Sequence, residues 1–208
     1  MLNIDIWSDY SCPYCYIGKK QLFQVLNELE ITDYKINHRV YLLDPGKESH
    51  PERTFLEGLK LPAKEEEGVR AKFAQIEAMA AKVGLHYHMD KIRDVATEDA
   101  HRLTLWAQTK NKHVALNDRL YRANFEDGDD ISSFDFLADC AAEVGLDRND
   151  ALAILNDADA YRDEIFEDFA EADEKDIDLV PHYTFNGRVD IMGIMTLDAI
   201  RKHIQMAL

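Results

Sequence analysis

Ile4-Asp5-Ile6-Trp7-Ser8-Asp9-Tyr10-Ser11-Cys12-Pro13-Tyr14-Cys15 is the stretch on which the fold turns. Leu2, Ile4 and Ile6 alternate with polar residues and run into Trp7, a pattern that predicts a half-buried strand. Leu22, Val25, Leu26 and Leu29 then fall on one face of a helix. Two thiols three positions apart therefore sit at a strand-to-helix turn. With Cys12 as the helix N-cap, Pro13 takes the first helical position, where its fixed φ suits the helix and its missing N–H costs nothing. First-turn amides and the helix dipole favour an anion at that end. Cys12 is thus expected to ionise readily and attack disulfides, with Cys15 one turn along to resolve the mixed disulfide. The competing reading is half a zinc site. A closed tetrahedral site needs two further ligands, and the chain has no second CxxC and no HxxxH.

After a short Thr32-Asp33 turn, Lys35 to Leu43 reads as a second strand, with Ile36, His38, Val40 and Leu42 alternating against Asn37, Arg39 and Tyr41. Strand, helix, strand in this order is a βαβ unit, so the two strands are expected to be parallel with a right-handed crossover. From Pro51 the period becomes helical. Val69, Phe73, Ile76, Ala80 and Val83 form one stripe, and Ala100, Leu103 and Ala107 another after a Thr97 cap. Leu116, Leu120 and Tyr121 form a third, and Phe136, Leu137, Cys140 and Val144 a fourth capped by Ser132 or Ser133. Strand character returns only at Tyr183 to Phe185 and Val189 to Met192, joined by Asn186-Gly187, a turn pair suited to an antiparallel hairpin. Leu197, Ile200, Ile204 and Leu208 mark a closing helix capped by Thr196. Neither terminal piece can bury a core alone. Residues 1–48 and 176–208 are therefore predicted to form one discontinuous domain, with 49–175 inserted as a helical domain.

At 208 residues the chain is long enough for one sizeable domain carrying such an insertion. Its 46% hydrophobic and 31% charged residues are ordinary for a water-soluble protein, and no run approaches a membrane span. No basic or strongly apolar leader precedes the first strand, so a cytoplasmic location is expected. Three cysteines are too few for a disulfide scaffold, and in a reducing compartment a CxxC pair is more often transient and catalytic. A net charge of −16 argues against a nucleic-acid partner, since a polyanion would be repelled. Much of that charge lies between Asp157 and Asp178, where eleven acids and two bases surround Tyr161, Ile165 and Phe169. The segment reads as a solvated helix face serving solubility, with a docking surface for basic clients as the alternative.

The layout and motifs resemble a known family. A βαβ…ββα order with CxxC after the first strand is similar to the thioredoxin fold, an α/β fold, and a long helical insertion is similar to its DsbA-like branch. Ser8-Asp9-Tyr10-Ser11-Cys12-Pro13-Tyr14-Cys15-Tyr16-Ile17-Gly18 resembles the opening motif of the FrnE-like group of that branch, as do Ala100-His101-Arg102-Leu103 and the segment from Phe125 to Ile131. The resemblance covers nearly the whole chain. It implies a cytoplasmic dithiol–disulfide oxidoreductase or isomerase working through a redox-active Cys12–Cys15 disulfide, with no tightly bound cofactor or metal. Its partners would be protein or small-molecule thiols and disulfides, glutathione among them as a co-substrate. The resemblance also assigns Pro181 the family's cis proline facing the disulfide, with the main chain of Val180 beside it to pair with an extended client.

Pro13 and Tyr14 between the sulfurs, and His182 after the proline, complete the binding candidates, the direction of His182 depending on strand register. Asp9 would raise the Cys12 pKa if close, but reads first as a surface turn acid. His101 reads as a structural histidine, His86 and His88 as surface loop residues, and Cys140 as a buried inert thiol. Two other classes compete with the exchange reading. Glutathione-dependent kappa-type transferases and chromene-carboxylate isomerases carry a serine where this chain has Cys12, and a non-enzymatic holdase would use only the groove beside it. A helical insert can also support a homodimer.

Overall fold

Alternating burial along Leu2, Ile4 and Ile6 and the Pro13 start signal decide the first two elements, β1 (Leu2–Ser8) and α1 (Pro13–Glu28). The computed structural model describes residues 1–208. The chain continues through β2 (Tyr34–Val40), β3 (His50–Thr54), α2 (Phe55–Gly58), α3 (Ala63–Ala81), β4 (Arg93–Asp94), α4 (Glu98–Thr109) and α5 (His113–Arg122). A π-helical turn (Ala123–Asp127) follows, then α6 (Phe134–Glu143), α7 (Arg148–Asn156), α8 (Arg162–Glu174), β5 (His182–Phe185), β6 (Val189–Met192) and α9 (Leu197–Ala207). No helix is long and apolar enough to cross a membrane.

One compact unit comprises residues 1–43 and 161–208. Its four strands lie in the order β2-β1-β5-β6, with β1 and β2 parallel and the other neighbours antiparallel. This is the thioredoxin arrangement. Asn186 and Gly187 both have positive φ, 51° and 67°, the pair of left-handed residues that a two-residue hairpin turn requires. Leu22, Val25 and Leu26 of α1 and Ile200 and Ile204 of α9 are buried with Ile4 and Phe185 of the sheet, each contributing about 1.5–3 kcal/mol by leaving water. Thr196 caps α9 by accepting the Ala199 N–H.

The boundary differs from the 49–175 insertion predicted above, because the acidic helix α8 belongs to the sheet-containing unit. Asp168 is the reason. One of its oxygens accepts the Val40 N–H at the end of β2 (2.7 Å) and the other accepts from the Arg39 guanidinium (2.8 Å). Asp168 is 3% exposed, so this helix is not solvated all round.

Residues 44–160 form the second unit, built on α2 to α7. It also holds a short antiparallel pair, β3 with β4, where the sequence shows no alternating hydrophobic pattern. The pair is fixed by charge: Asp94 takes Lys47 and Arg53, each at 2.6 Å. Within the Ala100-His101-Arg102-Leu103 element, Arg102 is buried. Its guanidinium donates to the carbonyls of Ile154, Asp157 and Ala160 and to the Asp99 carboxylate, tying α4 to the end of α7 and the loop beyond it. His101 is fully buried, and His86 and His88 are exposed. Ser133 caps α6, whereas the Thr97 side chain does not cap α4.

Candidate active site

Cys12 is the N-cap of α1, extended at φ −88° and ψ 108°, and Pro13 opens the helix. The Cys12 amide donates to the Asp9 carbonyl and the Cys15 amide to the Cys12 carbonyl, both at 3.1 Å, which folds the turn so that the two thiols lie 3.3 Å apart. Both are free thiols, nearly covered at 5% and 2% exposure. Pro13 and Tyr14 between them are half-buried.

The two sulfurs are pushed in opposite directions. Cys12 is held below the ordinary thiol value, first by the hydrogen bond that Cys15 donates to it and also by the Cys15 and Tyr14 amides; burial and the Asp9 charge oppose this. Burial pushes Cys15 well above the ordinary value, and donating to Cys12 raises it further. The helix-end amides expected to support the Cys12 thiolate are present, but the neighbouring thiol is the stronger support.

The Val180–Pro181 peptide bond is cis, and Pro181 is buried. Cys12 Sγ lies 3.6 Å from the Val180 carbonyl, which accepts from the thiol. Cys12, Cys15 and the Val180 main chain are thus brought together, with Pro181 alongside. His182 is not. Successive strand residues face opposite sides, and the His182 ring stands edge-on to Trp7 at 5.6 Å, with Nε2 3.3 Å from Asp190. Tyr183 takes the side facing α1. Its phenol oxygen would lie 2.4 Å from any Cβ placed on Gly18, and the charges it feels are those of Cys15 and Cys12.

Asp9 is not a surface acid. It is 1% exposed, because its carboxylate accepts the Ser11 N–H (3.1 Å), the Ser11 hydroxyl (2.8 Å) and the Leu43 N–H (2.8 Å), stitching the cysteine turn to the chain leaving β2. Its negative charge raises both cysteines, though less than burial does. Cys140 lies far from this chemistry in character: fully buried on α6, its thiol is pushed by burial up to about 12. No group of three or more His, Cys, Asp or Glu side chains is arranged to hold a metal ion.

A thioredoxin-fold sheet presenting a paired dithiol at a helix N-terminus against a cis proline defines a class of oxidoreductase. The chain belongs to the DSBA-like thioredoxin domain family, whose model matches residues 3–205. It is 30% identical to a probable DsbA oxidoreductase from Streptomyces coelicolor, whose crystal structure superposes with a TM-score of 0.88 over 100% of this chain and 90% of that one. The uncharacterised protein YwbO of Bacillus subtilis is 26% identical, over 98% of this chain and 96% of its own. The cytosolic disulfide reductase DsbM from Pseudomonas aeruginosa, solved with GSH, shares the fold at 15% identity and a TM-score of 0.65, each chain covered to 98%.

Proposed function

We propose that the protein exchanges thiols and disulfides, with Cys12 as nucleophile and Cys15 as resolving thiol. The Cys12 thiolate attacks a client disulfide, one client sulfur leaves as a thiolate, and a Cys12–client mixed disulfide remains. Cys15, deprotonated, then attacks the Cys12 sulfur, forms the Cys12–Cys15 disulfide and expels the second client thiolate. Two electrons pass from the protein dithiol to the client; run backwards, the same steps oxidise a dithiol. The observation that carries the reading is the asymmetry of the pair, one sulfur favoured as an anion and its neighbour held as a thiol that donates to it.

The Val180 main chain beside Pro181 and the half-buried Pro13 and Tyr14 are proposed to hold the client next to Cys12. Clients are protein or small-molecule disulfides in the cytoplasm. Glutathione is the proposed co-substrate, in keeping with the similarly folded disulfide reductase solved with GSH.

The test is equilibration in glutathione redox buffers, followed by acid quench, alkylation and mass measurement. A single two-electron transition confined to Cys12 and Cys15, with glutathione trapped on Cys12 in Cys15→Ser, supports the reading. Absence of a transition, or adducts forming on Cys15 in preference to Cys12, refutes it.

A further inference from the structure

Tyr183 is a buried aromatic residue on β5, opposite Ile6 of β1 and stacked on Phe185 with ring centroids 6.5 Å apart. A phenylalanine would satisfy that packing. The added hydroxyl is the anomaly: the residue is 3% exposed and the phenol oxygen has no hydrogen-bond partner. Buried polar atoms are nearly always paired, and an exception calls for a reason, a redox or catalytic role among them. The surroundings say which. A Cβ at Gly18 would meet the phenol oxygen at 2.4 Å and the Pro181 ring at 3.0 Å, so the oxygen fills the notch that glycine leaves in α1. Gly18 is three residues beyond Cys15, and residues at that spacing share a helix face. Glycine inside a helix costs stability relative to alanine, and here that cost admits the hydroxyl to the cysteine face.

Cys15 supplies the complementary need. Its sulfur is buried where an anion is poorly solvated, yet it must become a thiolate to resolve a mixed disulfide. We propose that the Tyr183 hydroxyl donates a hydrogen bond to the Cys15 sulfur as that sulfur ionises, which makes Tyr183 a participant in the resolving step. The proposal rests on the exchange cycle described above. The Cys15 proton passes to the expelled client thiolate when that is an alkyl thiolate and to water or buffer when it is a weakly basic aromatic one; the new thiolate attacks Cys12, closing the protein disulfide and expelling the second client thiolate. Tyr183 keeps its own proton throughout, since burial holds its phenol well above its ordinary pKa.

A hydrogen bond to an anion is worth about ten- to hundredfold in ionisation. Stabilising a thiolate also lowers its nucleophilicity, with a Brønsted slope of about one half, so the gain in resolving rate is about three- to tenfold. Stopped-flow mixing of the reduced protein with dithionitrobenzoate, an aromatic disulfide whose product thiolate is coloured, reads the steps separately. Attack by Cys12 releases one coloured thiolate and resolution by Cys15 the second.

In Tyr183→Phe the first phase is expected unchanged, the second about three- to tenfold slower, and the apparent pKa of the second phase about one to two units higher. Thermal stability of the reduced variant should be equal to or above that of the parent, because the substitution only removes an orphan hydroxyl. A second phase with the parent's rate and pH profile overturns the proposal and leaves the exchange cycle standing. Equal slowing of both phases with a lowered melting temperature also overturns it, by showing that the residue acts through the fold. A parent protein that releases only one thiolate, like Cys15→Ser, removes the exchange cycle and the proposal together.

Discussion

Replacing Asp168 tests whether the acidic helix is a solvated surface element or a structural strap on the sheet. In Asp168→Ala the Val40 N–H, buried at the end of β2, loses its only acceptor recorded in the structure, and a buried unsatisfied amide costs about 1–3 kcal/mol. Arg39 loses its 2.8 Å partner but keeps Glu171 at 3.2 Å and Asp5 at 3.7 Å, and its side chain is 31% exposed, so water and neighbours recover most of that interaction. We assign about 0–1 kcal/mol to this part, for a total of about 1–4 kcal/mol. For a chain of this size each kcal/mol lowers the melting temperature by about 2–4 °C, so a fall of roughly 2–16 °C is expected. Asp168→Asn should recover most of the loss, because its one amide oxygen can still accept the Val40 N–H and only the Arg39 part, about 0–1 kcal/mol, is forfeited. Glu167→Ala, at an exposed position one residue earlier, is the control, with an expected change within about 0.5 kcal/mol. Thermal melts followed by circular dichroism and urea titrations at neutral pH measure all three. Equal melting temperatures for Asp168→Ala and Glu167→Ala would refute the strap.

Asp9→Asn removes a negative charge that opposes ionisation of both cysteines, so the Cys12 thiolate, followed by its ultraviolet absorbance, should form at lower pH than in the parent; a shift upward would contradict this. Burial keeps the His182 imidazole below its ordinary pKa of about 6.5 against the pull of Asp190. The unfolded chain therefore binds this proton more tightly than the folded one. The contribution to stability is full above the ordinary value and falls away as pH drops through it towards the folded value. The difference in urea midpoint between the parent and His182→Gln should narrow on acidification across that window, and a difference independent of pH would count against the assignment. Native protein treated with iodoacetamide at neutral pH should be labelled at Cys12 and not at Cys140, whose thiol is fully buried and pushed up to about 12. Cys140 labelling at the Cys12 rate would show that α6 opens far more readily than its packing implies.

The elements that set the fold were written in strong local signals. Alternation marks β1 and β2, the Cys12-Pro13 start marks α1, and Asn186-Gly187 marks the β5–β6 hairpin. The failures share a cause, which is an acidic residue recruited inward by a donor distant in sequence. Asp168 sits on the face carrying Ile165 and Ala172, the residues of α8 that are buried with it, and that spacing could have shown that the acid points inward. Reading the stripe through Phe169 instead hid it. Asp9 gave no such signal, since its third donor is Leu43, 34 positions away. The pair β3 and β4 depends on Asp94 with Lys47 and Arg53 and leaves no hydrophobic period to detect. At the site, the cysteines stood out by their spacing, whereas Pro181 was marked only by the family resemblance and carries no local signal of its own. Which of His182 and Tyr183 faces them was not, because that depends on the register of β5 against β1.

That register bears on how the proposed cycle orders its own steps. Beside the small effect of the Asp9 charge, Cys15 is kept protonated in the dithiol by three influences: burial, the hydrogen bond it gives to Cys12, and the charge of a Cys12 thiolate. Capture of a client by Cys12 abolishes the last two at once, because a sulfur in a mixed disulfide carries no charge and is a weak acceptor. Cys15 then becomes easier to ionise at the moment its attack is needed, and premature attack beforehand is suppressed by the same contacts that lower the Cys12 pKa. Burial persists through that change, with the smaller effect of the Asp9 charge. A neutral donor on the α1-facing side of β5 offsets burial without adding a charge that would also stabilise Cys12, and this is why a phenol at position 183 suits the second step where a lysine or arginine would blur the order of the two.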